Sequence, residues 1–351
     1  MLHNFASPPK GASPYAGVIR DSAGNLYGTT FGGGTAGRGV VYKLDTAGHE
    51  TVLYSFTGGA DGGDPYAGVI RDSAGDLYGT TFGGGAAGAG VVYKLDPADH
   101  ETVLYSFTGG ADGGNPYAGV IPDSAGNLYG TTYGGGTMWG VVYKLDRGGH
   151  ETVLYTFGGG ADGGNPYAGV IPDSAGNLYG TTYGGAAGAG VVFKVNTASQ
   201  ETVLYSFTGG ADGWAPNAGV ISDSAGNLYG TTVNGGTAGR GVVYKLDTAG
   251  QETVLYSFRG GADGAFPFAG VIRDSAGNLY GTTYVGGTRD WGVVYKLDTA
   301  GQETVLYRFT GGADGGNPWA GVIRDSAGNL YGTTAGGGKR GGGVVFKLKP
   351  Q

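Results

Sequence analysis

The sequence predicts an all-β fold, a seven-bladed β-propeller of four-stranded antiparallel blades, closed by the N-terminal strand completing the last blade. Three observations carry this. Leu-Tyr-Gly-Thr-Thr recurs seven times, beginning at Leu26, Leu77, Leu128, Leu178, Leu228, Leu279 and Leu330. Each unit contains four short β-rich segments, and no stretch has a helical period. The chain ends are complementary: the last unit lacks one strand, and a spare one precedes the first unit.

The repeat advances by 50 or 51 residues, and Pro14, Pro65, Pro116, Pro166, Pro216, Pro267 and Pro318 keep the same step. In the first unit, strand A is expected over 16–20, B over 26–31, C over 40–44 and D over 51–56. All are rich in Val, Tyr, Thr, Phe and Leu, residues that suit a pleated, half-buried surface. Asp21-Ser22-Ala23-Gly24 joins A to B, and Asp45-Thr46-Ala47-Gly48 joins C to D. Asp first and Gly fourth suits a type I turn whose glycine takes φ > 0.

The last unit ends its C strand at Val344-Val345-Phe346-Lys347-Leu348 and has no D strand after it. Leu2-His3-Asn4-Phe5 matches Leu53-Tyr54-Ser55-Phe56 of strand D. A ring accounts for both ends. The blades are expected at 14–56, 65–107, 116–157, 166–207, 216–258, 267–309 and 318–348 plus 1–5, one domain over 1–351. Closure leaves only short strand edges, which favours a monomer.

Gly numbers 81 and Pro 13, but the glycines recur at fixed places, so the composition signals tight turns and not disorder. Without cysteine, disulfides and thiolate chemistry are excluded. A net charge of −7 lacks the basic footprint that nucleic acid requires. No run of apolar residues is long enough for a membrane-spanning helix, so membrane insertion is not expected. Met1-Leu2-His3-Asn4-Phe5 leads into a strand and does not read as a signal peptide.

Asn25-Leu26-Tyr27-Gly28-Thr29-Thr30, the following glycines, Val41-Tyr42-Lys43-Leu44 and Leu53-Tyr54-Ser55-Phe56-Thr57-Gly58-Gly59 resemble the GloVer-type extracellular bacterial repeat of choice-of-anchor surface proteins. More distantly, the order is similar to that of NHL propellers. The resemblance implies a propeller secreted by, or on the surface of, a bacterial cell, and it brings no established activity. The units are nearly identical, as recent gene amplification or construction from a consensus would leave them.

In a propeller, strand A lines the central channel. The D–A and B–C loops then share one face, and the A–B and C–D hairpins the other. The loop face carries most of the differences between copies. All four tryptophans fall there or at its margin: Trp139 and Trp291 in B–C loops, Trp214 in a D–A loop, and Trp319 after a repeat proline. In blades 5 to 7, Asn217, Asn234, Arg240, Arg259, Phe266, Arg289, Asp290, Lys339 and Arg340 also replace commoner residue types. Aromatic planes rimmed by charge on loops suit a glycan or protein ligand, and the basic residues favour an anionic one.

Other constellations are weaker. Gly32, Gly34 and Gly37 spell G-x-G-x-x-G, but a strand follows where a phosphate-binding helix is needed. Asp61 and Asp64 read as turn formers and not as a calcium loop. His49, His100 and His150 share a hairpin position that is Gln200, Gln251 and Gln302 elsewhere, so they read as solvated polar residues. Arg20, Arg71, Arg273 and Arg324 end their A strands, where other units have Pro122, Pro172 and Ser222; they read as a solvated rim at one channel mouth. No serine or aspartate is set apart beside a histidine, and no metal or cofactor is implied. The expectation is a non-enzymatic binding module or scaffold, the alternative a structural or engineered propeller with no ligand.

Overall fold

The computed structural model describes residues 1–6, 9–185 and 188–350. It is a ring of seven four-stranded antiparallel blades. In the first, strand A is Ile19–Arg20, B Leu26–Thr30, C Val40–Leu44 and D Glu50–Ser55. The other units repeat this arrangement, and the seventh takes His3–Asn4 as its D strand, paired with Val344–Leu348. His3 lies opposite Val345, and Asn4 opposite Val344. Leu2 N–H donates to Val345 O at 2.8 Å and Phe5 N–H to Gly343 O at 3.0 Å.

Strand A has two residues where five were expected. The reason is crowding at the axis. A Cβ on Gly270 would stand 3.2 Å from Gly219 O, and one on Gly68 3.3 Å from Gly17 O. Glycine keeps that spacing at most junctions, the equivalent Gly17 having 3.6 Å to Gly321 O. The backbone before strand A serves the neighbouring blade instead. Thr29 Oγ1 donates to Ala67 O, and the same bond recurs at every junction, ending with Thr333 Oγ1 to Ala16 O at 2.8 Å.

The core lies between blades. Tyr27, Val41 and Phe56 of blade 1 pack with Val69, Leu77, Val91, Tyr93 and Leu95 of blade 2. At the closing junction, Phe5 takes the place of Phe56, fully buried among Val18, Val40, Tyr42 and Tyr331. Burying one such side chain is worth about 1.5–3 kcal/mol. Leu2, its neighbour in the closing strand, is only half-buried.

The turns form as the sequence requires. Asp21 N–H donates to Asn25 O at 3.0 Å, Gly24 takes φ 92°, and the Asp21 carboxylate accepts from Asn25 N–H, Asn25 Nδ2 and Tyr27 OH. The Asp61 carboxylate accepts from Tyr54 OH, Thr57 N–H and Thr57 Oγ1. Its oxygens are thereby committed to the turn. Among the described residues, no three His, Cys, Asp or Glu side chains gather to hold a metal.

Candidate ligand-binding site

On the loop face, two positions per blade surround the channel mouth and are mostly aromatic. One follows the repeat proline (Tyr15, Tyr66, Tyr117, Tyr167, Phe268, Trp319), and the other follows strand B (Phe31, Phe82, Tyr133, Tyr183, Tyr284), where blade 7 has Ala335. Their rings pack edge-on, tilted or stacked within a blade and across to the next. Tyr15 meets Phe31 at 5.2 Å, Tyr66 at 5.4 Å and Trp319 at 5.4 Å, and Tyr117 meets Tyr167 at 4.6 Å. Such pairs add about 0.5–1.5 kcal/mol beyond their burial. The collar runs from Phe268 and Trp319, stacked at 4.3 Å, round to Tyr183.

Blade 5 breaks it. There the two positions are Asn217 and Val233. The smaller side chains leave a hollow of about 380 Å³ lined by Tyr183, Val233, Asn234, Phe266, Phe268, Tyr284 and Val285. Two further departures shape its rim. Asn234 and Val285 stand where the other units have glycine after the collar residue. Phe266 occupies a position held elsewhere by Ser13, Asp64, Asn115, Asn165, Ala215 and Asn317, all at positive φ. Phe266 itself has φ 57°. For a bulky side chain this region is strained, at about 1–3 kcal/mol.

Arg240 covers Phe266, its guanidinium carbon 5.1 Å from the ring centre. Between blades 1 and 2 the same two positions are Arg38 and Asp64, an ion pair at 2.9 Å. A charge pair has thus become a cation on an aromatic wall.

The remaining sequence candidates divide. Trp319 stands in the collar, stacked on the pocket-lining Phe268. Trp214 flanks the hollow: its backbone bridges Asn234, and its Nε1–H donates to Gly188 O at 2.9 Å. Trp139 and Trp291 lie instead over the glycines of the next D–A loop, Trp139 on Gly159 and Gly164, Trp291 on Gly311 and Gly316. They cover backbone while keeping about two-fifths of their surface exposed, 41% and 38%. Asp290 accepts from Gly286 N–H at 2.8 Å, which fixes its own loop. Arg289, Lys339 and Arg340 are exposed and do not line the hollow. Reasoning from sequence named Asn217 and Asn234 as divergent but missed Tyr183, Val233, Phe268, Tyr284 and Val285. The signal that could have found them is the loss of both collar aromatics in one unit, at Asn217 and Val233.

Comparison with known proteins agrees with this architecture. The model of the Gloeobacter/Verrucomicrobia repeat matches residues 1–159, 137–273 and 221–351, overlapping spans that together run the length of the chain. The chain belongs to that repeat family. No curated protein matches its sequence. Among solved structures it is similar to the extracellular domain of a one-component system from B. thetaiotaomicron, at TM-score 0.62 and 12% identity; the match covers 97% of this chain and 39% of that one. It is also similar to a lectin from Burkholderia pseudomallei, at TM-score 0.58 and 12% identity over 97% and 98% of the two chains. A puromycin hydrolase matches at TM-score 0.58 and 11% identity, over 98% of this chain and 54% of that one. At these identities the likeness concerns the fold alone. Among the described residues, no helix is long and apolar enough to cross a membrane.

Proposed function

We propose that this repeat protein is a non-enzymatic binding module, working outside the cell or on its surface, whose ligand seats in the gap of the aromatic collar. One observation carries the reading. Five of the seven residues lining the hollow, Val233, Asn234, Phe266, Phe268 and Val285, stand at positions where this nearly uniform repeat departs from its commoner residues. One of them is held in a strained backbone conformation. Drift in tolerant loops has no reason to converge on one concavity or to retain strain there.

The chemistry favours a sugar ring. Phe266, Phe268, Tyr183 and Tyr284 offer flat apolar walls, Asn234 offers an amide, and no charged side chain lines the hollow. A pyranose presents apolar C–H faces and an equatorial belt of hydroxyls, which such a site matches. Arg240 at the rim would add preference for an acidic sugar.

A glycan array on the intact protein, repeated with Val233→Tyr, tests this. The substitution restores the collar residue found at Tyr133, Tyr183 and Tyr284 and fills the hollow. Binding is expected in the parent and lost in the variant, with melting temperature unchanged or raised. Glycan binding that Val233→Tyr leaves intact would place the ligand elsewhere and remove the basis of the reading.

A further inference from the structure

We infer that the hairpin face carries a separate site between blades 4 and 5, a slot for the guanidinium of an arginine side chain presented by a partner protein. The protein supplies the template itself. At four junctions an arginine ending strand A reaches the strand-B tyrosine of the preceding blade: Arg20 on Tyr331, Arg71 on Tyr27, Arg273 on Tyr229 and Arg324 on Tyr280. The guanidinium carbons stand 5.6–5.9 Å from the ring centres. Each guanidinium also rests on the glycine of its own A–B hairpin. A Cβ on Gly24, Gly75, Gly277 or Gly328 would approach it to 2.8–3.2 Å. These arginines are exposed, as a solvated rim requires, and each also stacks on a neighbouring ring.

Blade 3 has Pro122 in place of the arginine, and the guanidinium of Arg147, from the C–D hairpin, takes the position against Gly126. Blades 4 and 5 have Pro172 and Ser222, and no guanidinium lies against Gly176 or Gly226. A hollow of about 370 Å³ opens there, its lining including Tyr179, Asp173, Ser222, Asp223, Gly226 and Thr248.

Everything but the arginine is in place. Tyr179 OH donates to Asp173 Oδ2 at 3.0 Å, as the capped Tyr229 OH does to Asp223 Oδ2 at 3.0 Å. Lys194 covers one face of the Tyr179 ring at 5.6 Å, as Lys43 covers Tyr27 at 5.8 Å. The hollow opens on Tyr179, against which no guanidinium stacks. The four capped tyrosines are buried, at 5–9% exposure, whereas Tyr78, Tyr129 and Tyr179, which lack an arginine from the next blade, are only half-buried.

The lining holds two carboxylates and no cation. Burial opposes their charge, but hydrogen bonds from Asn177 to Asp173 and from Asn227 to Asp223 more than offset it. Both carboxyls are held below the ordinary range, Asp223 at about 2, so both are ionised at neutral pH. A planar, weakly hydrated guanidinium can stack on the ring while its edge N–H groups face the carboxylates. An ammonium has no plane to stack. This site is independent of the loop-face reading.

The test uses the full chain with 13C-labelled tyrosine and N-acetyl-arginine methylamide as the probe. Titration is expected to shift the Tyr179 ring signal more than those of the capped Tyr27, Tyr229, Tyr280 and Tyr331. Ser222→Arg, which rebuilds the protein's own cap, is expected to weaken the Tyr179 response about tenfold. Because Ser222→Arg installs the residue that four units already carry, its folding is checked by an unchanged or higher melting temperature. Tyr179→Leu, in 15N-labelled protein, serves as a second variant that removes the ring without filling the slot, and is expected to abolish the response that the parent shows at the Asn177 and Asn227 amides. A Tyr179 signal that does not move, that moves equally with N-acetyl-lysine methylamide, or that still responds in Ser222→Arg would overturn the assignment.

Discussion

Phe266 concentrates the argument for function into one residue. Its φ of 57° is ordinary for Asn115, Asn165 and Asn317 in the equivalent turns, because a short amide side chain tolerates the left-handed region. A phenyl ring does not gain that tolerance. Phe266→Asn is expected to relieve about 1 kcal/mol of strain, less the packing lost under Arg240. The melting temperature should therefore stay level or rise while glycan binding falls. A clear loss of stability would show that Phe266 is there for packing and not for a ligand. The buried tyrosines of strand C make a related case without functional consequence. Tyr93 OH is fully buried with no hydrogen-bond partner, and blades 4 and 7 carry Phe193 and Phe346 at its position. A hydroxyl with no partner contributes nothing to offset its desolvation, which is why the repeat exchanges Tyr for Phe there freely.

At the scale of elements, the start of each D strand places a glutamate against the D–A loop of the preceding blade. Burial, and then repulsion from Asp61, pushes the Glu101 carboxyl up to about 7; Glu151, Glu201, Glu252 and Glu303 are raised to about 7 by burial and by Asp112, Asp162, Asp212 and Asp263. Glu50 differs because the chain ends meet beside it. Burial alone would raise it, but His3 at 3.2 Å, Gly11 N–H and Lys10 at 3.4 Å draw it below the ordinary range. A carboxyl raised in the fold binds its proton more tightly there than in the unfolded chain. The stability it contributes is full below about pH 4.5 and is lost as pH rises through 7. The hairpin aspartates Asp21 and Asp123 act oppositely, since they are lowered and lose their contribution only below 3.8. The melting temperature is thus expected to peak on the acid side of neutrality and to fall between about pH 4.5 and 8. Changing all five raised glutamates to Gln should flatten that slope. A parent whose melting temperature is level across this range would contradict the assignment. These pairs were not legible in the sequence, because Glu101 and Asp61 are 40 positions apart and meet only once two blades pack. Strand identity was legible from β-rich composition and turn residues. The length of strand A was not, because it is set by crowding at the axis and not by local preference.

For the whole molecule, the sevenfold repeat and the match of Leu2–Phe5 to the D strands made the ring legible in the chain itself, and the pairing of His3–Asn4 with Val344–Leu348 bears it out. The binding hollow was legible only in part. Divergence pointed to blades 5 to 7, but tryptophan and charge drew attention to Trp139, Trp291, Lys339 and Arg340, whereas the cavity arises from residues that became smaller, Asn217 and Val233. Large side chains are conspicuous in a sequence; the space left by missing ones emerges only when the neighbours are placed around it. Closure itself is open to direct test. Residues 1–5 supply the outer strand of blade 7, the fully buried Phe5, the half-buried Leu2 and the His3 that pairs with Glu50. Their deletion removes about 1.5–3 kcal/mol from Phe5 alone and leaves Val344–Leu348 as an unpaired edge able to template a second chain. It also takes away one of the groups that hold Glu50 charged, so the truncated protein should lose more stability at neutral pH than at about pH 4.5. The expected outcome is a clearly lower melting temperature, with concentration-dependent oligomers by light scattering. Adding residues 1–5 back as a free peptide should reverse both effects, because the blade then regains its outer strand by mass action. A truncated chain that melts like the parent and stays monomeric would mean that the ring is held shut by the Thr333–Ala16 bond and inter-blade packing alone.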